Sequence, residues 1–291
     1  MVILKSLKDP DTLLSKSLAL VSLARIINVI ITFCSVIVAF ILCVPDLVLS
    51  NNYLVAALAA ALTAAAGNII NDVFDKEADS INKPYKALPS GKVTVTAAVY
   101  LYITVLLASS IASYSINLTA FSIVILSNIL LFLYSFGLKR IPFLGNIVIS
   151  FLAGFVFIYG GLIAGDIKAA IIPAVFAFLI NLSREGIKAI EDIPGDTIAG
   201  VITFPRKYGI NFSKKIISAF LILLLVITFV PGIYGFYGIK YLVIITVIIN
   251  PLLLYVIKSL NAKHHRLNLN KLSLILKLNM VIGLIAIFFG K

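Results

Sequence analysis

Apolar residues run through this chain in blocks of about twenty, separated by short polar stretches. That rhythm predicts helices long enough to cross a hydrocarbon layer about 30 Å thick. The blocks lie at roughly 17–44, 53–71, 93–115, 119–138, 146–164, 169–187, 213–231, 240–257 and 272–290. Strands of a membrane barrel would instead alternate apolar and polar residues over about ten positions, and the sequence carries no such pattern. The expected fold class is all-α, a polytopic membrane protein with nine transmembrane helices.

Composition makes the solvent unambiguous. Of the 291 residues, 61% are hydrophobic and 12% charged, against about 25% charged in an ordinary soluble domain. Mean hydropathy is +1.12. The basic residues then set the orientation. With the N-terminus inside, the inner segments hold 21 of the 24 lysines and arginines, and the outer ones only Lys168, Lys240 and Lys291. A bias of that size predicts a cytoplasmic N-terminus. The net charge of +12 is thus read as topology and attraction to anionic lipid headgroups. No nucleic-acid partner is expected, because no compact basic soluble module is present. The first block is too long for a signal-peptide core and is expected to be retained. Cys34 and Cys43 lie on opposite sides of that helix at 100° per residue, so they are read as small apolar residues rather than a bridge.

Two long inner loops, 72–92 and 188–212, draw attention because long loops in compact proteins tend to be functional. Eight of the 12 acidic residues fall at or beside them. NDVFDKEAD supplies Asp72, Asp75, Glu77 and Asp79, and NLSREGIKAIEDIPGD supplies Glu185, Glu191, Asp192 and Asp196. Asn68, Asp72, Asp75 and Asp79 share one helical face by spacing, and Glu185 and Asp192 share another with Lys188 one turn from each. Asp196 is expected just past the helix end, after Pro194-Gly195. Stacked carboxylates repel, and half-burial at a membrane boundary makes that worse. Salt bridges to loop lysines would compensate. The sharper reading is a hard divalent cation, since Mg²⁺ takes one or two carboxylates and shares its remaining positions with water and substrate phosphates. His264 and His265 sit in a distant loop, which argues against a transition-metal site. Cationic candidates for a diphosphate are Lys83, Lys86, Lys139, Arg140, Lys188, Arg206 and Lys207. Arg25 lies inside the first apolar block with Asn28 one turn later, and an arginine at that depth usually faces a cavity, a partner or the membrane surface.

The two acidic segments resemble those of the UbiA superfamily of intramembrane prenyltransferases. Asn71-Asp72-Val-Phe-Asp75-Lys-Glu-Ala-Asp79 matches its NDxxDxxxD motif, preceded by Gly67-Asn68. Asp192-Ile-Pro-Gly-Asp196 matches DxxxD, within a pattern completed by Glu185 and Lys188 and followed by AGVITFPRKYG. The resemblance spans nearly the whole chain. It implies one domain over 1–291, nine helices around a central cavity, and cytoplasmic cap loops at about 72–92, 139–145 and 188–212. It also implies a multi-pass enzyme of the cell membrane, with its active site at the cytoplasmic face. Asn68, Asp72, Asp75, Asp79, Glu185, Asp192 and Asp196 would hold Mg²⁺ and the diphosphate of an isoprenyl donor. Asn71, Lys83, Lys86, Lys139, Arg140, Lys188, Arg206, Lys207, Arg25 and Asn28 would contact substrate, and Tyr134 would face the allylic cation. The family commonly spaces that tyrosine and lysine as YxxxK. Here Tyr134 to Lys139 is one residue longer.

The short termini, NKPYKALPSG, YSFGLKRIPFLGN and EDIPGD most resemble the archaeal ether-lipid branch. That branch implies transfer of a geranylgeranyl group to the glycerol hydroxyl of geranylgeranylglyceryl phosphate, a lipid phosphate acceptor. Prenylation of an aromatic quinone precursor such as 4-hydroxybenzoate is the alternative. A cation-coupled transporter is more distant, because both acidic clusters lie at one membrane face rather than the midplane. A CDP-alcohol phosphotransferase would need Asp-Gly and Ala-Arg pairs that DVFDKEAD lacks. No protein partner is identifiable.

Overall fold

The structure is a computed structural model that describes residues 13–44, 50–262 and 268–291. Lys5, Lys8, Lys263 and Arg266 of the topology count, and His264 and His265, lie outside the described residues. Helices account for all the regular structure among the described residues, and nine of them, counted there, are long and apolar enough to span a membrane.

The first expected span is two helices, α1 (Leu13–Leu23) and α2 (Ile26–Cys43), with a break at Ala24-Arg25. The others fall within a few residues of expectation. They are α3 (Asn51–Phe74), the short α4 (Lys76–Asn82), α5 (Val95–Tyr114) and α6 (Leu118–Phe136). Next come α7 (Leu144–Ala164), α8 (Ile167–Glu191) and two short helices, α9 (Ile193–Ile198) and α10 (Phe204–Tyr208). The chain ends with α11 (Ile210–Ile227), α12 (Val230–Ile233), α13 (Ile239–Ile244), α14 (Asn250–Asn261) and α15 (Leu269–Gly290). A π turn at Ile245–Ile249 joins α13 to α14.

Helix starts follow local chemistry. Thr94, Asn117, Asp166 and Asn268 each accept a hydrogen bond from a backbone N–H two or three residues later. Each thereby satisfies one of the orphan donors of a helix N-terminus. Gly165 ends α7 in the left-handed region at φ 85°, where glycine carries no Cβ penalty.

The chain forms two compact units, each assembled from separate segments. The first runs from the N-terminal described residues to Phe33 and adds Leu54–Leu138 and Pro194–Val201. The second comprises Cys34–Tyr53, Lys139–Ile193 and Ile202–Lys291.

In the first unit, Leu23 of α1, Ile69 of α3, Ala98 of α5 and Leu88 of the loop between them form a buried cluster. The face of α3 is nearly all small, with Ala56, Ala57, Ala59, Ala60, Ala61, Ala65, Ala66 and Gly67 buried. An added Cβ on Gly67 would come within 2.9 Å of the Leu131 side chain. Lipid tails are as apolar as leucine, so membrane helices gain from close backbone approach rather than from leaving water. A buried hydrogen bond from Asn128 Nδ2 to Ser109 Oγ (3.2 Å) ties α6 to α5.

The second unit is organised on α8, which packs along α7, α11 and α15. Glycines set the α7–α8 approach: a Cβ on Gly154 would lie 2.6 Å from the Ala174 carbonyl oxygen, and one on Gly161 would lie 2.8 Å from Ala170 Cβ. Around this seam Leu179, Ile187, Leu221, Leu253 and Leu276 form a buried core.

Candidate active site

The break between α1 and α2 builds the first part of the site. Ala24 and Arg25 close a tight turn, donating to Val21 and Ser22 carbonyls. Arg25 then takes φ 55°, a conformation that costs roughly 1–2 kcal/mol for a residue with a Cβ and that clusters at functional sites. Asn68 on α3 supports the joint, because its Nδ2 donates to the Ala24 carbonyl at 2.9 Å. That bond uses the Asn68 amide nitrogen; a metal would be bound through its Oδ1. The joint also delivers the Arg25 guanidinium to Asp72 Oδ1 at 2.5 Å. Arg25 therefore pairs with the first motif. Asn28 sits in the first turn of α2, its N–H donating to the Arg25 carbonyl.

The first motif does not lie on one unbroken helix. α3 ends at Phe74 and a turn at Asp75 leads into α4, although Asp75 and Asp79 keep i−4 backbone bonds to Asn71 and Asp75. Asp75 Oδ2 accepts from Asn71 Nδ2 at 2.8 Å. Asp72 and Asp79, each 5% exposed, converge instead on Lys86. Lys86 Nζ lies 3.0 Å from Asp72 Oδ1 and 2.6 Å from Asp79 Oδ2. Buried carboxylates are costly unless paired. Arg25, Asp72, Lys86 and Asp79 form a continuous chain of alternating charge that meets this demand. Burial still holds the Asp79 carboxyl above the usual carboxylate range, with Lys86 pulling against it. Lys83 closes α4, its N–H donating to the Asp79 carbonyl at 2.8 Å.

The second motif divides between the two units. Pro194–Val201 belongs with the first. Asp196 lies past the end of α8, as expected, and falls inside the short α9, one residue after Gly195, whose N–H donates to Asn82 Oδ1 at 2.9 Å. Asn82 was not singled out in the sequence; an amide at a helix C-terminus carries no spacing signal. In the second unit Asp192 caps α8, and Glu185 Oε1 accepts from Lys188 Nζ (2.7 Å) and from Arg184 (3.0 Å). Arg184 was also missed as a partner, although it is the immediate neighbour of Glu185.

Of the remaining candidates, Tyr134 is on α6, where Phe132 and Phe136 stack and Phe74 meets each edge-on at 5.8 and 6.0 Å. Lys139 and Arg140 form a 3₁₀ turn at Leu138–Arg140 in the second unit. Arg206 and Lys207 are on α10, with Lys207 over the Tyr208 ring at 5.3 Å. Arg206 lines an open groove of about 770 Å³ together with Pro205, Tyr208, Asn211 and Phe212.

The oxygen donors suit a hard cation that shares its shell with a substrate. No three acidic, histidine or cysteine side chains converge as a closed metal cage among the described residues. Asn71 Oδ1, however, is buried with no hydrogen-bond partner. Such an orphan acceptor costs about 1–3 kcal/mol. Asp72, Asp75 and Asp79 follow it within about two turns of chain, and oxygen donors are the kind Mg²⁺ takes when phosphates and water fill its other positions.

The chain is similar to known proteins over nearly its whole length. The UbiA prenyltransferase family matches residues 29–281, a range that begins just after Arg25 and Asn28. The digeranylgeranylglyceryl phosphate synthase of Saccharolobus solfataricus is 34% identical over 271 residues, 92% of this chain and 95% of that one. A solved structure of a digeranylgeranylglyceryl phosphate synthase superposes with a TM-score of 0.73 at 30% identity, covering 95% of this chain and 98% of the other. The fold is also that of a UbiA homolog from Archaeoglobus fulgidus, solved bound to GPP and Mg²⁺, with a TM-score of 0.68 at 20% identity over 92% and 99% of the chains. With nine membrane-length helices among the described residues, Asp72 and Asp79 held by Arg25 and Lys86, and likeness along nearly its whole length, the chain belongs to the UbiA prenyltransferase family.

Proposed function

We infer that this multi-pass membrane protein transfers a geranylgeranyl group from geranylgeranyl diphosphate to the glycerol hydroxyl of geranylgeranylglyceryl phosphate, releasing diphosphate. The observation that carries the reading is likeness to digeranylgeranylglyceryl phosphate synthases, 34% identity over 92% of the chain in one case. The buried Arg25–Asp72–Lys86–Asp79 chain gives that likeness its chemistry.

Asp72, Asp75, Asp79 and Asn71 Oδ1 would hold Mg²⁺, joined by Asp196, which belongs to the same unit. On the sequence pattern alone, Asp192 and Glu185 are assigned the same class of role. Bound with the donor, the divalent ion would neutralise charge growing on the departing diphosphate. Lys86 and Arg25 contribute the same neutralisation from the protein. Both already lie against carboxylates, so they are fixed before substrate arrives and need little reorganisation. The allylic C1–O bond breaks with its electron pair leaving on diphosphate. The acceptor's glycerol oxygen forms the new bond to C1, and its hydroxyl proton is released. The aromatic rings of Tyr134, Phe74 and Phe132 would border the allylic group and exclude water, which would otherwise compete as the nucleophile. Lys83, Lys188 and Lys139 are assigned to the donor diphosphate, and Arg140, Arg206 and Lys207 to the acceptor's phosphate. Membrane lipids surround the enzyme, and the bias of basic residues supports a site at the cytoplasmic face.

The test is an acceptor panel with purified protein in nanodiscs, supplied with geranylgeranyl diphosphate and Mg²⁺. Product is expected from geranylgeranylglyceryl phosphate. Turnover of 4-hydroxybenzoate with the lipid phosphate untouched would overturn the acceptor, and ion uptake in proteoliposomes without any transfer would overturn the enzyme.

A further inference from the structure

The DxxxD motif carries a glycine immediately before its last aspartate, and the structure gives that glycine a partner far away in sequence. Asn82 is the last residue of α4, and its Oδ1 accepts the Gly195 N–H at 2.9 Å across 113 residues of chain. The contact leaves no room. A Cβ on Gly195 would collide with the Asn82 amide and would lie 2.6 Å from the Ala78 carbonyl oxygen. A side-chain tip could move aside, but a helix carbonyl cannot. The backbone of Gly195 is thus pressed onto one face of α4, at both Ala78 and Asn82, one turn apart.

That face bears directly on the acidic cluster. Asp79 lies one turn before Asn82 on α4, and residues at that spacing are neighbours on the helix surface. Asp196 follows Gly195. Asp79 is itself tied to Lys86 at 2.6 Å and buried. The two motifs therefore meet through the Gly195 backbone and the Asn82 amide.

We propose that Asn82 is a positioning residue for the second motif. Its amide carbonyl holds the Gly195 backbone against α4 and so fixes Asp196 relative to Asp79. Glycine is required at 195 because only a residue without Cβ can approach that closely. The proposal rests on the reading that Asp79 and Asp196 act on one metal–diphosphate substrate. A residue that orients a ligand typically costs about 10–100-fold in metal affinity or activity when lost.

The experiment compares Asn82→Leu, Asn82→Asp and Gly195→Ala in the full-length protein. Asn82→Leu removes the acceptor, whereas the Asn82→Asp carboxylate still accepts the Gly195 N–H. Asn82→Leu and Gly195→Ala should lose about 10–100-fold in transfer rate and need more Mg²⁺ for half-maximal rate. Asn82→Asp should retain most of both. In metal-free protein, hydrogen exchange over 194–199 should accelerate in Asn82→Leu and stay near wild type in Asn82→Asp. Unchanged exchange in Asn82→Leu, or equal loss of activity in Leu and Asp variants, would overturn the positioning role. If Asn82→Leu does not fold, Gly195→Ala and the Asn82→Asp exchange pattern decide in its place. Full activity in Asp196→Ala would instead sink the underlying reading, whatever Asn82 does.

Discussion

Arg25 reaches Asp72 from a left-handed backbone position, its guanidinium against Oδ1 and its own φ at 55°. Conformation and charge are therefore separable there. Arg25→Ala loses the ion pair and keeps the backbone strain, while Arg25→Gly loses the pair and relieves the strain. Arg25→Gly should be more stable than Arg25→Ala by about 1 kcal/mol. Both should transfer poorly, because Lys86 alone is left to offset Asp72. Thermal unfolding in detergent, with single-turnover rates beside it, checks both halves.

Lys86 should matter most when Asp79 is ionised. Burial raises the Asp79 carboxyl above its ordinary range, so the folded protein binds that proton more tightly than the unfolded chain. The stability this contributes is complete below the unfolded value of about 3.9. It is lost as pH rises through the folded one. Removing Lys86 takes away the cation that pulls against that burial and breaks its pairs with both Asp72 and Asp79. Lys86→Met should therefore cost about 1–3 kcal/mol at pH 7 and less at pH 4, where a protonated Asp79 no longer needs the pair and only the one with Asp72 is lost, measured on metal-free protein.

Transfer should stop when divalent ions are chelated and return with Mg²⁺. Asp72→Ala should abolish turnover in a protein that still folds and retains its helical circular dichroism. Retained turnover in that variant would remove the first motif from the metal site.

The helix seams offer a contrast that needs no substrate. Gly154→Ala pushes a Cβ to within 2.6 Å of the Ala174 carbonyl, whereas nothing lies within 4 Å of one on Gly283. The first should destabilise by about 1–3 kcal/mol. The second should be neutral or stabilising by up to about 1 kcal/mol, since alanine is the better helix former. Midpoints of thermal unfolding for the two variants decide it.

Much of the fold was legible because hydrophobic length is a strong signal: eight of the nine expected spans match a single membrane-length stretch within a few residues. The first span misled because leucine, isoleucine and valine continue across Ala24-Arg25 without a proline or glycine. Tertiary bonding from Asn68 and Asp72 creates that break, and hydropathy does not register it. The site was legible as residue types and less so as contacts. Spacing on an ideal helix put Asp75 and Asp79 on one face, but the turn at Asp75 sends Asp75 toward Asn71 and Asp79 toward Lys86. Asn82 was invisible because its bond partner is a backbone N–H, which no side-chain pattern encodes.

The small-residue face of α3 has a consequence for the order of the site. Alanine and glycine have no rotamers, so burying Ala56, Ala57, Ala59, Ala60, Ala61, Ala65, Ala66 and Gly67 loses no side-chain entropy. The helix that carries Asp72 is thus packed mainly by residues that have nothing to reorder, so little of the cost of ordering the site falls on it when substrate arrives.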